Sequence, residues 1–450
     1  MPAKNSTSEK PAGNLESIRC QDLLGGASFG HFRLSSDEPR KNLTTVADRV
    51  ASRLVGYLGH EDAPWDMLAT IGYTKHLPIR LAESPALRDG VALMCSAWAN
   101  YRRNLPAAEV IDSNLYGKAL RSLQRALNDA QQQLSCETLA AATILGRLEI
   151  LFDTRRPFNR THHAEGIKTI MLKRGPPKID DDLDLHLALE NHAAMISLWI
   201  VEEGENFYLT SPWKEVMLQS GAVLEKTLPS ERLDCYKIGY YFGFWPGLAH
   251  KFRRVSNDPD IDSQREQALA LRDEVANLDA AAQIVSEPIF RRARREGRIL
   301  ELLDSDTPVA EKFHFGSLDT MSFVVSYLMI RMVFNRILYH TMVLLGQPDM
   351  LLEVEHRDLC RQTWMCMPFI KNLGLMASVS ASTPVFLSYE GAGEAEREYV
   401  MDIIIEVASY KGRYPKERHM VELLVLNTVR AMTGRGPFVP PSSSAGTEGE

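Results

Sequence analysis

The chain has 450 residues, of which 45% are apolar and 24% charged, the composition of an ordinary globular protein with a large core. Its formal net charge of −7 disfavours a broad basic face that binds nucleic acid. The six cysteines are spread along the chain without any Cys-x-x-Cys pair, which disfavours a disulfide scaffold and a zinc module and indicates free intracellular thiols.

Residues 1–44 are rich in Ser, Gly, Pro and charged residues, and we expect them to be disordered. The run Gly26-Ala27-Ser28-Phe29-Gly30 matches the Gly-x-Ser-x-Gly pattern of a hydrolase nucleophile. That pattern requires a strand before the serine and a helix after it, and neither is predicted here. We therefore interpret the run as a chance match. The tail, residues 436–450, is similar in composition and is also predicted to be disordered.

Residues 45–435 form one predicted helical domain, because apolar residues recur at three- and four-residue spacing almost throughout. Helices are predicted at Leu43–Leu58, Ile79–Asn104, Ser113–Leu134, from the N-cap Ser135 onward, Asp182–Glu203, Arg265–Ile284, Pro288–Leu303, Phe323–Leu345, Glu353–Leu375, Glu394–Tyr410 and His419–Met432. Strand signals are scarce, and Pro384–Leu387 is one of the few. The predicted fold class is all-α, a multi-helix domain with disordered termini.

The segment Met321–Leu345 is apolar and long enough to span a bilayer. Arg331, Asn335, Arg336 and His340 interrupt it. Each arginine near the centre of a membrane costs about 2.5–3.5 kcal/mol on insertion scales. We therefore predict a buried core helix and expect no membrane partner.

Asp180-Asp181-Asp182-Leu183-Asp184 fits the Asp-Asp-x-x-Asp pattern with which helical terpene synthases hold magnesium and a diphosphate. Those enzymes need a second metal motif on another helix. The nearest candidate, Asn257-Asp258, has Ile261 and Arg265 where a Ser/Thr and a Glu are required. Acids that cluster before a helix more often interact with its N-terminal dipole, and we favour that interpretation here.

Asp182, His186 and Glu190 share one helical face at four-residue steps, with His192 nearby, so this face is a candidate metal site. It lacks the Glu-x-x-His spacing of di-iron bundles and the His-Glu-x-x-His spacing of zinc proteases. We therefore expect a solvated face. For His163, at the start of a predicted helix, we expect capping or packing rather than catalysis.

Three further clusters have more than one interpretation. His356 and Cys360 lie one helical turn apart, but a thiolate nucleophile needs an activating environment, so we expect a buried structural cysteine. The basic run Arg291–Arg298 is either a nuclear-localisation or nucleic-acid patch or a solvated basic face, and the second is the usual explanation. The aromatic and glycine run Gly239–Trp245 indicates core or loop packing more than a ligand pocket.

Several short motifs follow one another along the chain. They are Tyr116-Gly117-Lys118-Ala119-Leu120, Leu123-Gln124-x-Ala126-Leu127, His163-x-x-Gly166, Arg174-Gly175-Pro176, Arg331-x-x-x-Asn335-Arg336, Met367-Pro368 and Arg397-Glu398-Tyr399-Val400. In this order they resemble the regulatory domain of fungal-specific transcription factors of the zinc-cluster type. The likeness covers residues 45–432, and the order of the motifs is a stronger argument than any one of them.

The sequence departs from that family's pattern in two places. Such factors usually carry an N-terminal binuclear zinc cluster of six closely spaced cysteines, whereas here Cys20 is the only cysteine before Cys95. A tryptophan often precedes the family's His-x-x-Gly element, and here Phe158-Asn159-Arg160 stands in its place. We therefore expect no DNA contact through a zinc cluster.

The resemblance implies a transcriptional regulator, of a fungal secondary-metabolite biosynthetic gene set, located in the nucleus or alternatively in the cytoplasm. It implies action with a DNA-binding partner protein or as a homo-oligomer. The alternative is an enzyme of a small-molecule biosynthetic pathway built on the same domain, for which Asp182, His186, His163 and the aromatics Tyr240–Trp245 are the first candidates. The regulator is favoured, and the sequence assigns no catalytic, cofactor-binding or metal-ligating residue.

Overall fold

The computed structural model describes residues 45–59, 72–152, 161–204, 206–372, 383–409 and 417–438. The predicted disordered segment 1–44 lies outside these residues, and with it Cys20 and the Gly26–Gly30 pattern. Residues 158–160, where the family's tryptophan is replaced, and residues 439–450 of the tail also lie outside them. The domain limits at residues 44 and 435 therefore stay predictions.

The described residues are almost entirely helical, which confirms the predicted all-α class. The helices are α1 (Val46–Leu58), α2 (Pro85–Arg102), α3 (Ala107–Val110), α4 (Ser113–Asn128), α5 (Cys136–Phe152), α6 (Thr161–Arg174), α7 (Asp182–Val201), α8 (Trp213–Thr227), α9 (Ser230–Phe242), α10 (Trp245–Ser256), α11 (Ile261–Arg295), α12 (Leu318–Leu344), α13 (Met350–Lys371), α14 (383–389), α15 (Glu394–Ser409) and α16 (Arg418–Met432). Strands β1 (Ile299–Leu303) and β2 (Glu311–Phe315) form one antiparallel hairpin.

Short polar side chains set the first residue of several helices. Thr45 accepts a hydrogen bond from the Asp48 N–H at 3.1 Å, and Asp48 accepts one from the Thr45 N–H at 3.2 Å, which is a capping box before α1. The predicted N-cap Ser135 is confirmed, since its hydroxyl accepts the Thr138 N–H at 3.1 Å. Asp181 caps α7 in the same way.

Helix α11 differs from the sequence prediction of two helices, Arg265–Ile284 and Pro288–Leu303. It runs unbroken through Pro288 to Arg295. An internal proline removes a hydrogen bond and costs about 3 kcal/mol, so packing must hold the helix together around it. The next residue but one, Phe290, supplies such packing against Phe323 and Tyr327 of α12, with ring centroids 5.0 and 4.9 Å away.

The second half of that predicted helix is strand β1. Gly297, with φ +70°, ends the helical path after α11 at a backbone angle that glycine adopts readily. The strand then pairs with β2 in the register Ile299 opposite Phe315 and Leu303 opposite Glu311. A short apolar run is compatible with helix or strand, and the pairing partner decides between them.

Two smaller differences from the sequence prediction concern the end of α4 and the residues of α14. The predicted helix Ser113–Leu134 ends at Asn128, because Asp129 turns the chain by accepting the Gln131 N–H at 2.8 Å. The candidate strand Pro384–Leu387 is helical and lies within α14.

Helix α12 lies at the centre of the C-terminal half and packs against α9, α10, α11 and α13. By length and composition it is able to cross a membrane, yet 72% of its most apolar 18-residue window is buried inside the protein. This confirms the predicted core helix for Met321–Leu345. The hairpin covers α13, where the Phe315 and Phe369 rings meet at 5.1 Å.

Candidate functional site

The first motif residue, Tyr116, takes part in a contact among three helices. Its hydroxyl on α4 donates a hydrogen bond to the Glu149 carboxylate on α5. The Nε2 atom of His163 on α6 contacts the other oxygen of the same carboxylate. His163 therefore contacts α5, and Glu149 joins α4, α5 and α6.

Asp89 on α2 is a second carboxylate of this kind. It is buried, and its two oxygens lie 2.9 Å from the Nζ of Lys118 and 2.6 Å from the Oγ of Ser122, which donates to it. Both partners lie on α4. The Tyr116–Leu120 motif thus holds α4 against α2 through Lys118 and against α5 through Tyr116.

The Arg174 motif leads to a third carboxylate, that of Asp184. Arg174 donates from Nη1 to Asp184 at 2.7 Å and from Nε to the Leu134 carbonyl at 2.8 Å. Asp184 also accepts the Lys178 N–H at 3.1 Å and is buried. Asp181 caps α7 and pairs with Arg80 at 2.9 Å. The Asp-Asp-x-x-Asp pattern is therefore used in capping and ion pairing, as favoured from the sequence, and its acids are not arranged around one metal site.

The expected solvated face at Asp182, His186 and Glu190 is wrong, because His186 is buried. Its Nδ1 lies 2.8 Å from the Asp182 carbonyl, and its ring centroid is 4.8 Å from that of His76. Burial lowers the pKa of His186, and burial together with the neighbouring His186 lowers that of His76 to about 4. Glu190 pairs with Arg147. Among the residues that the structure describes, no three His, Cys, Asp or Glu side chains are placed to hold a metal ion.

His192 is part of an aromatic cluster with Tyr208, whose ring lies 4.5 Å away. Burial lowers the pKa of His192 to about 4. Gly243 approaches this cluster closely, since a Cβ there would lie 3.3 Å from the His192 Nε2 and 3.2 Å from the Asn206 Nδ2. Nearby Trp245 donates to the Met432 carbonyl at 2.6 Å. Within the Gly239–Trp245 run, Gly243 and Trp245 are therefore packed in the core, whereas Tyr240 is 42% exposed.

Arg331, from the later motif, is buried in α12 between two other helices. Its Nε lies 2.6 Å from Asp279 on α11, and its Nη1 donates to the Tyr327 hydroxyl at 2.7 Å. Its Nη2 donates to Glu355 on α13. Burial raises the pKa of Asp279, although Arg331 opposes that change.

Asn335 and Arg336 extend this cluster along α12. Asn335 Nδ2 donates to Glu355 at 2.8 Å and to the Leu352 carbonyl at 2.9 Å. Arg336 donates to Glu353 at 2.8 Å and to the Asn335 side-chain oxygen at 2.7 Å. We call Arg331, Asn335 and Arg336 with their acidic partners Asp279, Glu353 and Glu355 the α12 hub.

His356 and Cys360 lie close together, with the Sγ atom 3.6 Å from Nε2. Burial lowers the pKa of His356 to about 3 and raises that of Cys360 to about 12. A neutral thiol beside a neutral imidazole is not an activated nucleophile. The expectation of a buried structural cysteine is confirmed.

A further buried ion pair lies near the end of the described chain. Arg435 makes two hydrogen bonds to Glu390, each 2.6 Å long, and a third to the His340 Nε2 at 2.8 Å. Burial alone would raise the pKa of Glu390, but the Arg435 guanidinium outweighs it and the pKa is lowered. The pair holds the residues after α16 against α12 and the end of α14.

The basic run Arg291–Arg298 is paired with nearby acids. Arg291 lies 3.2 Å from Glu287 and Arg294 lies 2.9 Å from Glu301, both at the surface. Arg292 turns inward to the buried Asp234. The run therefore contains exposed and inward-facing arginines rather than a single basic surface.

A cavity of about 540 Å³ lies between the α14–α15 turn and α16, and it is lined by Tyr389, Ala392, Gly393, Glu394, Arg397, Glu398, Arg418 and Glu422. Tyr389 donates to Glu422 at 2.8 Å, and the Arg397 guanidinium lies 5.7 Å from the Tyr389 ring centre. The lining is mainly charged and carries both signs. None of the residues named as first enzyme candidates lines it.

Residues 74–277 match the family model described as the fungal specific transcription factor domain. This segment is therefore similar to the fungal specific transcription factor domain. No curated protein and no solved structure matches the chain. The match confirms the family resemblance, and a domain of this kind indicates a transcriptional regulator.

The fungal specific transcription factor domain contains all three carboxylates to which the early motifs lead, Asp89, Glu149 and Asp184. The motif residues therefore join helices of this segment to one another. The later motifs, at Arg331 and Arg397, lie beyond the matched segment, and their resemblance to the family stays a prediction.

Sequence reasoning singled out both members of the Arg174–Asp184 pair but only one side of the contacts at Asp89 and Glu149. Tyr116, Lys118 and Arg174 stand in recognisable motifs, whereas the carboxylates Asp89 and Glu149 stand in ordinary helical sequence. A buried acid needs a partner, but sequence alone does not show which cation or hydroxyl packs against it. The only usable signal was an acid in a predicted apolar helix.

Proposed function

We propose that this protein regulates transcription of a fungal secondary-metabolite biosynthetic gene set from the nucleus, together with a DNA-binding partner protein. The observation that carries the proposal is the fungal specific transcription factor domain at residues 74–277. The assignment of the gene set comes from the resemblance described under Sequence analysis.

The partner is proposed because the cysteines within these 450 residues are far apart. A binuclear zinc cluster needs several thiolates within a few residues of one another, and Cys20 and Cys95 are the first two here. Cys95 and Cys136 are buried, and burial is the first cause that raises the pKa of Cys95 to about 12 and also raises that of Cys136. The net charge of −7 is a further argument against non-specific DNA binding by a broad face.

The enzyme alternative is not favoured by the contacts of its candidate residues. His163 is engaged with Glu149, and His186 lies against His76 and the Asp182 backbone. Trp245 is used in core packing against the Met432 carbonyl. These groups lie in separate contacts rather than around one cavity.

The deciding experiment measures transcripts and metabolites together in a strain that lacks this gene. We expect a set of neighbouring biosynthetic transcripts to fall together, and wild-type protein to restore them. Two variants are compared with the wild type in this assay. Lys118→Ala replaces an exposed side chain and should restore the transcripts. Arg331→Ala in the α12 hub destabilises the fold and should not restore them. Unchanged transcripts with one accumulating intermediate would instead make the protein an enzyme.

The partner is tested separately with purified full-length protein and promoter fragments from the affected genes. We expect no sequence-specific binding by the chain alone, and binding once nuclear extract from the same strain is added. Specific binding by the purified chain alone would contradict the requirement for a partner while leaving the regulatory function intact.

A further inference from the structure

Helix α11 presents a long outer face to solvent. It has 35 residues, and Leu269, Ala276, Ala280 and Ile284 are exposed on it. Their spacings of seven, four and four residues place them within one helical face. We call these four residues the α11 seam. Ile284 is 73% exposed, so the α11 seam leaves one large aliphatic side chain in water between two alanines and the arginine end of the helix.

Exposed charges on α11 are separated by sign along its length. The first half exposes three acids, Asp262, Glu266 and Asp273, and one arginine, Arg265. The second half exposes the three arginines 291, 294 and 295 and one acid, Glu287. Each half therefore carries an excess of one sign, negative at the N-terminal end and positive at the C-terminal end.

Local ion pairs do not remove this separation. Arg291 pairs with Glu287 at 3.2 Å, Arg294 with Glu301 at 2.9 Å, and Asp273 with Arg272 at 2.8 Å. All three pairs are solvent-exposed, and such pairs contribute only about 0–1 kcal/mol, so their members remain available to a partner. Even with Glu301 and Arg272 counted, each half keeps its excess of charge.

This arrangement is complementary to itself when two copies meet head to tail. In an antiparallel pair of α11 helices the acidic half of one faces the arginine half of the other, twice by symmetry. Glu266 and Arg291 lie at nearly equal distances from the point midway between Ala276 and Ala280, as do Asp262 and Arg295. A parallel pair would bring like charges together.

The small residues of the seam lie where the two helices would cross. Ala276 and Ala280 allow close approach of the backbones, because helix separation depends on the side chains at the contact. Ile284 of each copy would then pack beside the crossing and lose its exposure to water. Since each chain carries a net charge of −7, two copies repel in general, and a locally complementary surface is needed to bring them together.

We propose that the α11 seam is the contact surface between two copies of this chain, which associate with their α11 helices antiparallel. The contact is isologous, so the same residues serve both copies. The apolar centre of the contact supplies affinity, and the charged ends determine that the two α11 helices run antiparallel.

The first test measures the molar mass of the full chain in solution by light scattering and sedimentation over a range of concentrations. We expect twice the monomer mass at moderate salt, and Ile284→Arg to raise the dissociation constant by about tenfold or more. Leu351→Arg on α13 is the matched control, since Leu351 is 77% exposed on another helix, and it should leave the dimer intact. A monomer at every concentration, or equal effects of the two substitutions, would overturn the proposal.

Charge reversal tests the direction of the helices. Variant one carries Asp262→Lys and Glu266→Lys, variant two carries Arg291→Glu and Arg295→Glu, and circular dichroism checks that both are folded. Each alone should be monomeric, an equimolar mixture should form heterodimers, and a chain with all four substitutions should dimerise again by itself. If the chain with all four substitutions stays monomeric, the antiparallel arrangement is excluded.

Discussion

The ion pairs of the transcription factor domain and those of the α12 hub use the same residue types in different surroundings. In the domain, Lys118 reaches Asp89 from the surface, with its side chain 55% exposed. In the hub, the Arg331 side chain is 5% exposed and has partners on two neighbouring helices. The first kind joins one helix to the next, whereas the second lies inside the core where α11, α12 and α13 meet.

The difference indicates that the contribution of an ion pair to the free energy of unfolding depends on how deeply its members are buried. Water and salt screen an exposed pair, so its loss is nearly neutral. Removing one member of a buried pair leaves the other charged group without solvent or partner. The motifs of the first half include both kinds of contact, and we expect Lys118 and Arg174 to contribute different free energies to stability.

The largest effect is expected at the centre of the hub. Arg331→Ala should lower the free energy of unfolding by about 3–5 kcal/mol, because it leaves Asp279 buried without its cation. Urea unfolding followed by circular dichroism measures this change. If Arg331→Ala unfolds at the same urea concentration as the wild type, the hub does not hold these three helices.

A smaller effect is expected at Arg174 in the transcription factor domain. Arg174→Ala should cost about 1.5–3 kcal/mol, the range for a hydrogen bond to a charged group, because Asp184 is buried. Its matched control is Lys118→Ala, for which we expect about 0–1 kcal/mol, because water replaces the exposed lysine and Asp89 keeps its hydrogen bond from Ser122. The same urea measurement applies, and equal losses in the two variants would contradict the role of burial.

The third effect is absent at neutral pH and appears only on acidification. Burial lowers the pKa of His192 to about 4, below the value of about 6.5 for an unfolded histidine, so the unfolded chain binds this proton more readily. Stability should therefore be fully present above about pH 6.5 and decline toward about pH 4, by about 1–2 kcal/mol per pH unit for this one group.

His192→Gln tests this dependence by removing the titrating group. The slope of unfolding free energy against pH in that window should become shallower by the contribution of one histidine. His419→Gln, on the exposed start of α16, is the matched control and should leave the slope unchanged. An unchanged slope in His192→Gln would show that this histidine is already protonated in the folded protein.

Helical periodicity in the sequence determined the all-α class, most of the helices and the burial of α12 despite its arginines. The order of the short motifs along the chain indicated the family resemblance, which the match over residues 74–277 supports. These features depend on local spacing and on turn chemistry, which neighbouring residues specify. The predicted N-cap Ser135 shows how far such local reasoning extends.

Only the tertiary structure decided which groups meet across helices. Asp89 and Lys118, or Arg331 and Asp279, are distant in sequence, and no spacing rule connects them. It also decided that Pro288 stays inside α11 and that Ile299–Leu303 is a strand, because packing and a pairing partner outweighed local preference. The separation of charge along α11 was already present in the sequence, but its exposure to a second copy depends on which face of that helix the core leaves uncovered.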